Sequence, residues 1–173
     1  MSFDLPKINT ILFATDLSEN SNFAYRYAVA LANLSGAAIT VLHVLSDLPP
    51  NAEILLATIL GYESTIELKQ KSKSQIIQSI EAYLRDSCSA VINEIPSCPV
   101  IVDRIVVEAG KPTNRILHHI RKSNCDLTVM GSRGHGLIKE ALIGSTSRKV
   151  LKQSPKPVLI VPPVRRKQDA LPQ

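Results

Sequence analysis

The residues with the clearest chemical potential lie in the last third of the chain, where glycines and hydroxyl side chains are regularly spaced. Gly131-Ser-Arg-Gly134 is followed, after nine further residues, by Gly144-Ser145-Thr146. Glycine lets the backbone turn sharply and present its N–H groups. A helix N-terminus adds unpaired N–H groups and a partial positive charge, and the two hydroxyls add donors. The pattern predicts a phosphate cradle in two parts, a loop and a helix start.

Two charged side chains of the same loop, Arg133 and His135, can contact phosphate or simply face water. The segment has neither the Gly-Lys-Ser/Thr of a P-loop nor the GxGxxG of a dinucleotide-binding turn. Spacing alone therefore fits two interpretations equally well. One is phosphate binding, and the other is a flexible connection between a strand and a helix.

The elements that must position this segment follow a repeating order. Short apolar runs predict strands over residues 8–14, 38–45, 100–108, 126–130 and 157–161. Helical spacing and cap residues separate them: a helix after Ser18, a short one within 51–62, a longer one after the capping-box pattern Ser64-x-x-Glu67, one at Pro112 and one after Gly144. This alternation predicts an α/β fold, an open, parallel five-stranded sheet with helices on both faces in a Rossmann-like arrangement.

Three candidate features lie at predicted strand ends. Thr15-Asp16 follows the first strand, His43-Val44 ends the second, and Gly131 follows the fourth. In open parallel sheets ligands bind beyond the carboxyl ends of the strands, so we expect these features to share one edge. Two of them have simpler interpretations: Asp16 followed by Ser18 also fits a helix cap, and His43 fits a packed or hydrogen-bonded histidine better than a catalyst.

Composition limits the function classes. With 173 residues, 45% of them apolar, we expect one domain over residues 1–163 and a disordered basic tail over 164–173. The net charge of +5 suits anionic ligands or solubility, and no aromatic-interleaved basic stripe indicates nucleic-acid binding. Three cysteines without CxxC spacing, no signal peptide and no membrane-spanning run predict a cytoplasmic protein that does not enter the membrane.

Five separated blocks, in order, resemble the universal stress protein family over about residues 5–163. They are Ile11-Leu-Phe-Ala-Thr-Asp-Leu-Ser, Val41-Leu-His-Val, Val129-Met-Gly-Ser-Arg-Gly-His-Gly, Leu142-Ile-Gly-Ser-Thr-Ser-Arg-Lys-Val-Leu and Pro155-x-Pro-Val-Leu-Ile-Val-Pro. The glycine spacing is that of the ATP-binding branch. The resemblance implies an adenine nucleotide alpha hydrolase-like fold and a bound ATP, with ADP or AMP as alternatives. It also implies Mg²⁺ or Mn²⁺ held through the phosphates.

The resemblance also implies roles for individual residues. Asp16 would contact the adenosine part, and Ala14 and Val44 would meet the base through backbone groups. The glycines with Ser145 and Thr146 would hold ribose and phosphates. The full predicted nucleotide-binding set is Ala14, Thr15, Asp16, Val44, Met130, Gly131, Arg133, Gly134, His135, Gly144, Ser145 and Thr146.

Catalysis requires a positioned base or nucleophile, and the sequence shows no carboxylate pair, triad or metal-ligand cluster. We therefore expect an ATP-binding stress-response regulator with at most weak hydrolysis. The alternative is a dimeric interaction protein that works without nucleotide. A ligase or transferase domain would need a further substrate domain, for which 173 residues leave no room. Members of the family pair through the last strand, which implies a homodimer through residues 157–162.

Overall fold

The computed structural model describes residues 5–46, 50–94, 102–134 and 143–164. Within them the chain forms five strands and six helices. In chain order they are β1 (Thr10–Thr15), α1 (Glu19–Ser35), β2 (Ala38–Leu45), α2 (Pro50–Ile59), α3 (Thr65–Gln70), α4 (Lys73–Asn93), β3 (Val102–Ala109), α5 (Pro112–Lys122), β4 (Leu127–Gly131), α6 (Ser145–Gln153) and β5 (Val158–Val161). His135 and the predicted tail beyond Val164 lie outside the described residues.

The strands form one parallel sheet in the order β3-β2-β1-β4-β5. The predicted fold class is therefore confirmed. The chain leaves β1 toward β2 on one side, whereas β4 lies on the other side of β1. The carboxyl ends of β1 and β4 thus flank the point where the strand order reverses, and there the connecting segments diverge and leave a crevice.

Each face of the sheet is covered by its own hydrophobic core. Ile11, Phe13, Ile39 and Val41 point to the face covered by α1 and α4, where they pack with Tyr25, Val29, Ile80 and Leu84. Leu12, Ala14, Leu42 and Val44 point to the opposite face, where they pack with Ile116, Leu117, Ile120 and Val150 of α5 and α6. The inner strands carry apolar side chains on both faces, because helices cover both faces of the sheet and exclude water.

The connection between β2 and β3 differs from the prediction. Ser64 caps the six-residue helix α3, accepting a hydrogen bond from the Glu67 N–H, whereas the long helix α4 starts from a second capping box at Ser72 and Gln75. In that box the Ser72 hydroxyl accepts from the Gln75 N–H, and the Gln75 side chain accepts from the Ser72 N–H. The predicted single helix after Ser64 was therefore wrong.

Strand boundaries shift by one or two residues at the start of β1 and β4. Asp126 precedes β4 instead of opening it, and its carboxylate accepts hydrogen bonds from the Asn9 and Thr10 N–H groups. This side chain thereby anchors the beginning of β1 to the neighbouring segment. Across the described ranges, no helix is long and apolar enough to cross a membrane.

Candidate functional site

The sheet brings the predicted residues of β1 and β4 side by side. Ala14 pairs with Met130 across the β1–β4 ladder, so Thr15 and Asp16 leave the sheet beside Gly131. The side chains of Ala14 and Met130 are buried in the core, as is that of Val44 at the end of β2. These three residues therefore present mainly backbone to the edge of the sheet.

The turn after β1 is held by its own side chains. The Thr15 hydroxyl oxygen accepts hydrogen bonds from the Leu17 N–H at 3.1 Å and from the Ser21 hydroxyl at 2.7 Å. Asp16 Oδ1 accepts from the Ser18 N–H at 3.1 Å, and Ser18 is the residue that caps α1. Leu17 has a φ of 67°, so the turn passes through the left-handed region at a non-glycine residue. Asp16 thus shapes the turn, and the capping role belongs to Ser18.

The first half of the glycine segment lies directly against this turn. A Cβ atom on Gly134 would overlap the carboxylate of Asp16, and one on Gly131 would lie 2.8 Å from Asn20 Nδ2. The Asn20 amide donates a hydrogen bond of 3.0 Å to the Arg133 carbonyl. A side chain at either position would therefore displace the Asp16 or Asn20 side chain on which the loop packs.

The second half of the segment is attached to the first by two hydrogen bonds, and the first half is also attached to β5. The Gly144 N–H donates to the Ser132 carbonyl at 2.6 Å, and the Ser147 hydroxyl donates to the Gly131 carbonyl at 2.8 Å. The Ser132 N–H donates to the Val161 carbonyl at 2.7 Å. As a result the N-terminus of α6 lies at the same edge as Gly131, with Gly144 as its cap residue.

Several polar atoms of this region have no hydrogen-bond partner among the described residues. Ser132 Oγ, Arg133 Nε and Asn20 Oδ1 are buried, and none pairs with another atom of the described ranges. Gly144 has no side chain that could cap α6, Ser145 is exposed and Thr146 is half-buried. Within the described ranges, the N–H groups of the first helical turn therefore remain free to bind a ligand. Buried polar groups need partners, and phosphate or ribose oxygens can supply acceptors for the donors.

The structure thus brings together all predicted site residues except His135, whose segment 135–142 lies outside the described residues. Sequence reasoning missed Asn20, Ser132 and Ser147, which join the two halves of the site. Asn20 lies one helical turn beyond Asp16, and Ser147 lies three residues beyond Gly144, so both spacings were available as signals. His43, predicted to be packed or hydrogen-bonded, is buried, with Nδ1 3.0 Å from the Thr15 carbonyl.

No cluster of three or more His, Cys, Asp or Glu side chains that could hold a metal ion occurs among the described residues. The polar groups at this edge of the sheet are backbone N–H groups, hydroxyls and one carboxylate, that of Asp16. Such a set suits the phosphates of a nucleotide, and a divalent cation would then be bound chiefly through phosphate oxygens and water.

The chain matches the sequence model of the universal stress protein family over residues 7–162. Universal stress protein MJ0577 of Methanocaldococcus jannaschii is 26% identical over 151 residues, covering 87% of this chain and 93% of that protein. A universal stress protein of Thermus aquaticus is 30% identical over 152 residues, covering 88% and 97%.

Solved structures show the same fold. The structure of MJ0577 matches with a TM-score of 0.65 at 24% identity, over 93% of this chain and 100% of that one. A universal stress protein in complex with cAMP matches with a TM-score of 0.60 at 20% identity, over 90% and 98%. At these identities the likeness establishes the arrangement of strands and helices.

Proposed function

The chain belongs to the universal stress protein family, and from that premise we propose that it is an ATP-binding regulatory protein that works as a homodimer. Bound nucleotide would bias its shape or its partners. The observation that carries the proposal is the contact between Gly134 and Asp16, because it closes the loop after β4 onto the turn after β1. A base, a ribose and phosphates then have one continuous edge on which to bind.

In this proposal the residues divide by chemistry. Backbone groups of Ala14, Thr15 and Val44 meet the adenine base, and the carboxylate of Asp16 accepts from the adenosine part. The N–H groups of the glycine segment and of the first turn of α6 hold the phosphates. Ribose and phosphates would be held by Gly131, Gly134, Gly144, Ser145 and Thr146, with Arg133 and His135 as further phosphate contacts and Met130 as a neighbouring member of the predicted nucleotide-binding set. Mg²⁺ or Mn²⁺ would be held chiefly through the phosphates.

A solved member of the fold in complex with cAMP supports an adenine nucleotide as the ligand class. ADP or AMP fits the same base and ribose contacts, with fewer phosphates on the glycine segment. Hydrolysis is expected to be slow. The one carboxylate in the predicted set, Asp16, is engaged by the Ser18 N–H and holds the turn.

The direct test is the nucleotide content of the purified protein. Nucleotide released by denaturation is identified by mass spectrometry, and titration calorimetry of ATP with Mg²⁺ is performed on the emptied protein. We expect ATP, ADP or AMP in the first measurement and saturable binding in the second. Absence of both results overturns the proposal and favours a dimeric interaction protein that works without nucleotide.

A substitution at Gly144 tests where the phosphates bind. Gly144 has an extended backbone that any residue can adopt, but a Cβ there would lie 3.3 Å from the Ser132 carbonyl oxygen. We expect Gly144→Val to abolish measurable ATP binding while the protein remains folded and dimeric. Gln153→Val, on an exposed position at the far end of the same helix, is the matched control and should bind ATP normally. Unchanged affinity in Gly144→Val would put the phosphates elsewhere.

A further inference from the structure

A cavity of about 580 Å³ lies between α1 and α4, beside the candidate nucleotide site and not over it. Pro163 and Val164, which follow β5, also line it. None of Asp16, Gly131, Gly134 or Gly144 lines it, so the volume is separate from the phosphate cradle. Cavities of this size are typical of small-molecule sites, which commonly occupy about 300–1,000 Å³.

The walls of the cavity are apolar and rich in rings. Phe13 and Tyr25 line it with ring centroids 5.0 Å apart, but both are almost fully buried, so the half-buried ring of Phe23 is the one accessible to a ligand. Further apolar wall residues are Leu84, Cys88 and Val91. Burial raises the pKa of the Cys88 thiol above its ordinary value, although a hydrogen bond with Tyr25 opposes part of that rise. The thiol is therefore neutral near pH 7 and adds to the apolar wall.

The charged side chains of the cavity lie at its rim. Glu19 is exposed, and Arg26, also exposed, forms an ion pair of 2.8 Å with Glu94. The charge of Arg26 is thus balanced by the Glu94 carboxylate. Asn20, Asn22 and Ser87 supply uncharged polar groups around the same cavity. This distribution disfavours an anionic ligand and leaves hydrogen-bonding groups for one polar end of a neutral one.

The cavity and the nucleotide site share a wall. Thr15 and Asn20 line the cavity, and the Asn20 amide donates to the Arg133 carbonyl of the glycine segment. A molecule in the cavity would therefore pack against the residue that holds the loop after β4.

From these observations we infer that the cavity between α1 and α4 is a second binding site, which takes a small, uncharged, ring-containing molecule with one polar group. The half-buried ring of Phe23 favours stacked or edge-on aromatic contact, and burial of apolar surface supplies the affinity. Apart from Thr15, its lining lies outside the predicted nucleotide-binding set, so the site does not depend on the nucleotide proposal.

The test uses N-phenyl-1-naphthylamine, a neutral probe that fluoresces when it enters an apolar site, added to the full-length protein. We expect saturable binding to the wild type and to Gly144→Val, which separates this site from the phosphate cradle. Ser87→Trp places a large ring in the cavity and should weaken probe binding by about tenfold or more. Ser89→Trp, at an exposed position two residues away on the same helix, is the matched control and should bind like the wild type.

Three results would overturn the inference. The first is equal probe affinity in Ser87→Trp and wild type, with both proteins folded by circular dichroism. The second is probe binding to Leu171→Ser but not to the wild type, which would identify the chain's own C-terminal segment as the occupant. The third is absence of binding to wild type together with a changed oligomeric state in Ser87→Trp, which would identify the cavity as an interface between two copies.

Discussion

Gly134 lies against Asp16 so closely that a Cβ atom on the glycine would overlap the aspartate carboxylate. The two residues follow different strands, β4 and β1, which are neighbours only because of the sheet order. Their contact joins the loop predicted to hold phosphates to the turn predicted to hold adenosine. It also makes this pair the most direct place to test the site.

Gly134→Ala should lower the free energy of unfolding by about 1–3 kcal/mol, because the new methyl group displaces the Asp16 carboxylate. Asp16→Ala in the same chain removes the obstacle. The cost of the glycine substitution should therefore be smaller in the Asp16→Ala background, a coupling that urea denaturation of the four proteins measures. Strictly additive costs would show that the two residues do not meet in solution.

Ser147→Ala should lower the free energy of unfolding by about 1 kcal/mol, since the buried hydroxyl donates to the Gly131 carbonyl. It should also weaken ATP binding, because α6 is then held less firmly beside the loop. Ser145→Ala is the informative comparison, since that side chain is exposed. We expect it to reduce ATP affinity in calorimetry with little change in urea unfolding. Equal stability loss in both variants would contradict the assigned role of Ser147.

Ile160→Pro should separate the proposed dimer without unfolding the chain. The Thr128 N–H donates to the Pro157 carbonyl and the Ser132 N–H to that of Val161, so odd-numbered residues of β5 face β4. The N–H of Ile160 therefore points to the free edge, where proline is tolerated. Leu159→Pro removes a ladder hydrogen bond and should instead destabilise the fold. Sedimentation equilibrium distinguishes the two, and a persistent Ile160→Pro dimer would locate the interface elsewhere.

Two described cysteines should react slowly. Burial raises the pKa of both Cys88 and Cys125, so little thiolate is present at pH 7. In a Cys98→Ser background, we expect iodoacetamide to label them roughly tenfold or more slowly in the native protein than in urea. Comparable rates in both conditions would show that the thiols are accessible in the folded state.

The same two thiols should make stability fall at alkaline pH. Because their folded pKa is raised, the unfolded chain loses these protons first as pH rises above the ordinary thiol value of about 8.5. The folded state then holds more protons than the unfolded state, so the free energy of unfolding decreases with pH. Replacing both cysteines with alanine should reduce this decrease in urea titrations between pH 8 and pH 10.

Local signals accounted for most of the fold. The apolar runs located all five strands to within about two residues at each end, as is usual for element boundaries. Gly36, with a φ of 73°, ends α1, as glycine commonly does at a helix C-terminus. The failure at Ser64 has a local cause, since Ser64-x-x-Glu67 and Ser72-x-x-Gln75 are both capping patterns only eight residues apart. Nothing in either pattern decides which one begins the long helix.

The candidate site was less accessible to sequence reasoning. The glycine spacing indicated a loop and a helix start, but the partners that hold them together could not be identified from it. Asn20 and Arg133 are joined by a hydrogen bond although they lie 113 positions apart in the chain. The cavity between α1 and α4 is likewise invisible in the periodicity of either helix, because its lining residues look like ordinary core and surface positions.

The amino-acid sequence alone was sufficient for the element types, their alternation and the glycine segment, because periodicity, caps and turn chemistry act within a few residues. Strand order was settled only by tertiary packing, which sets β4 beside β1 and brings Gly134 against Asp16. The physical reason is that contacts between distant residues depend on how whole faces are buried. The hydrogen bonds of Asn20, Ser132 and Ser147, which hold the predicted phosphate cradle together, were therefore identified only from the tertiary structure.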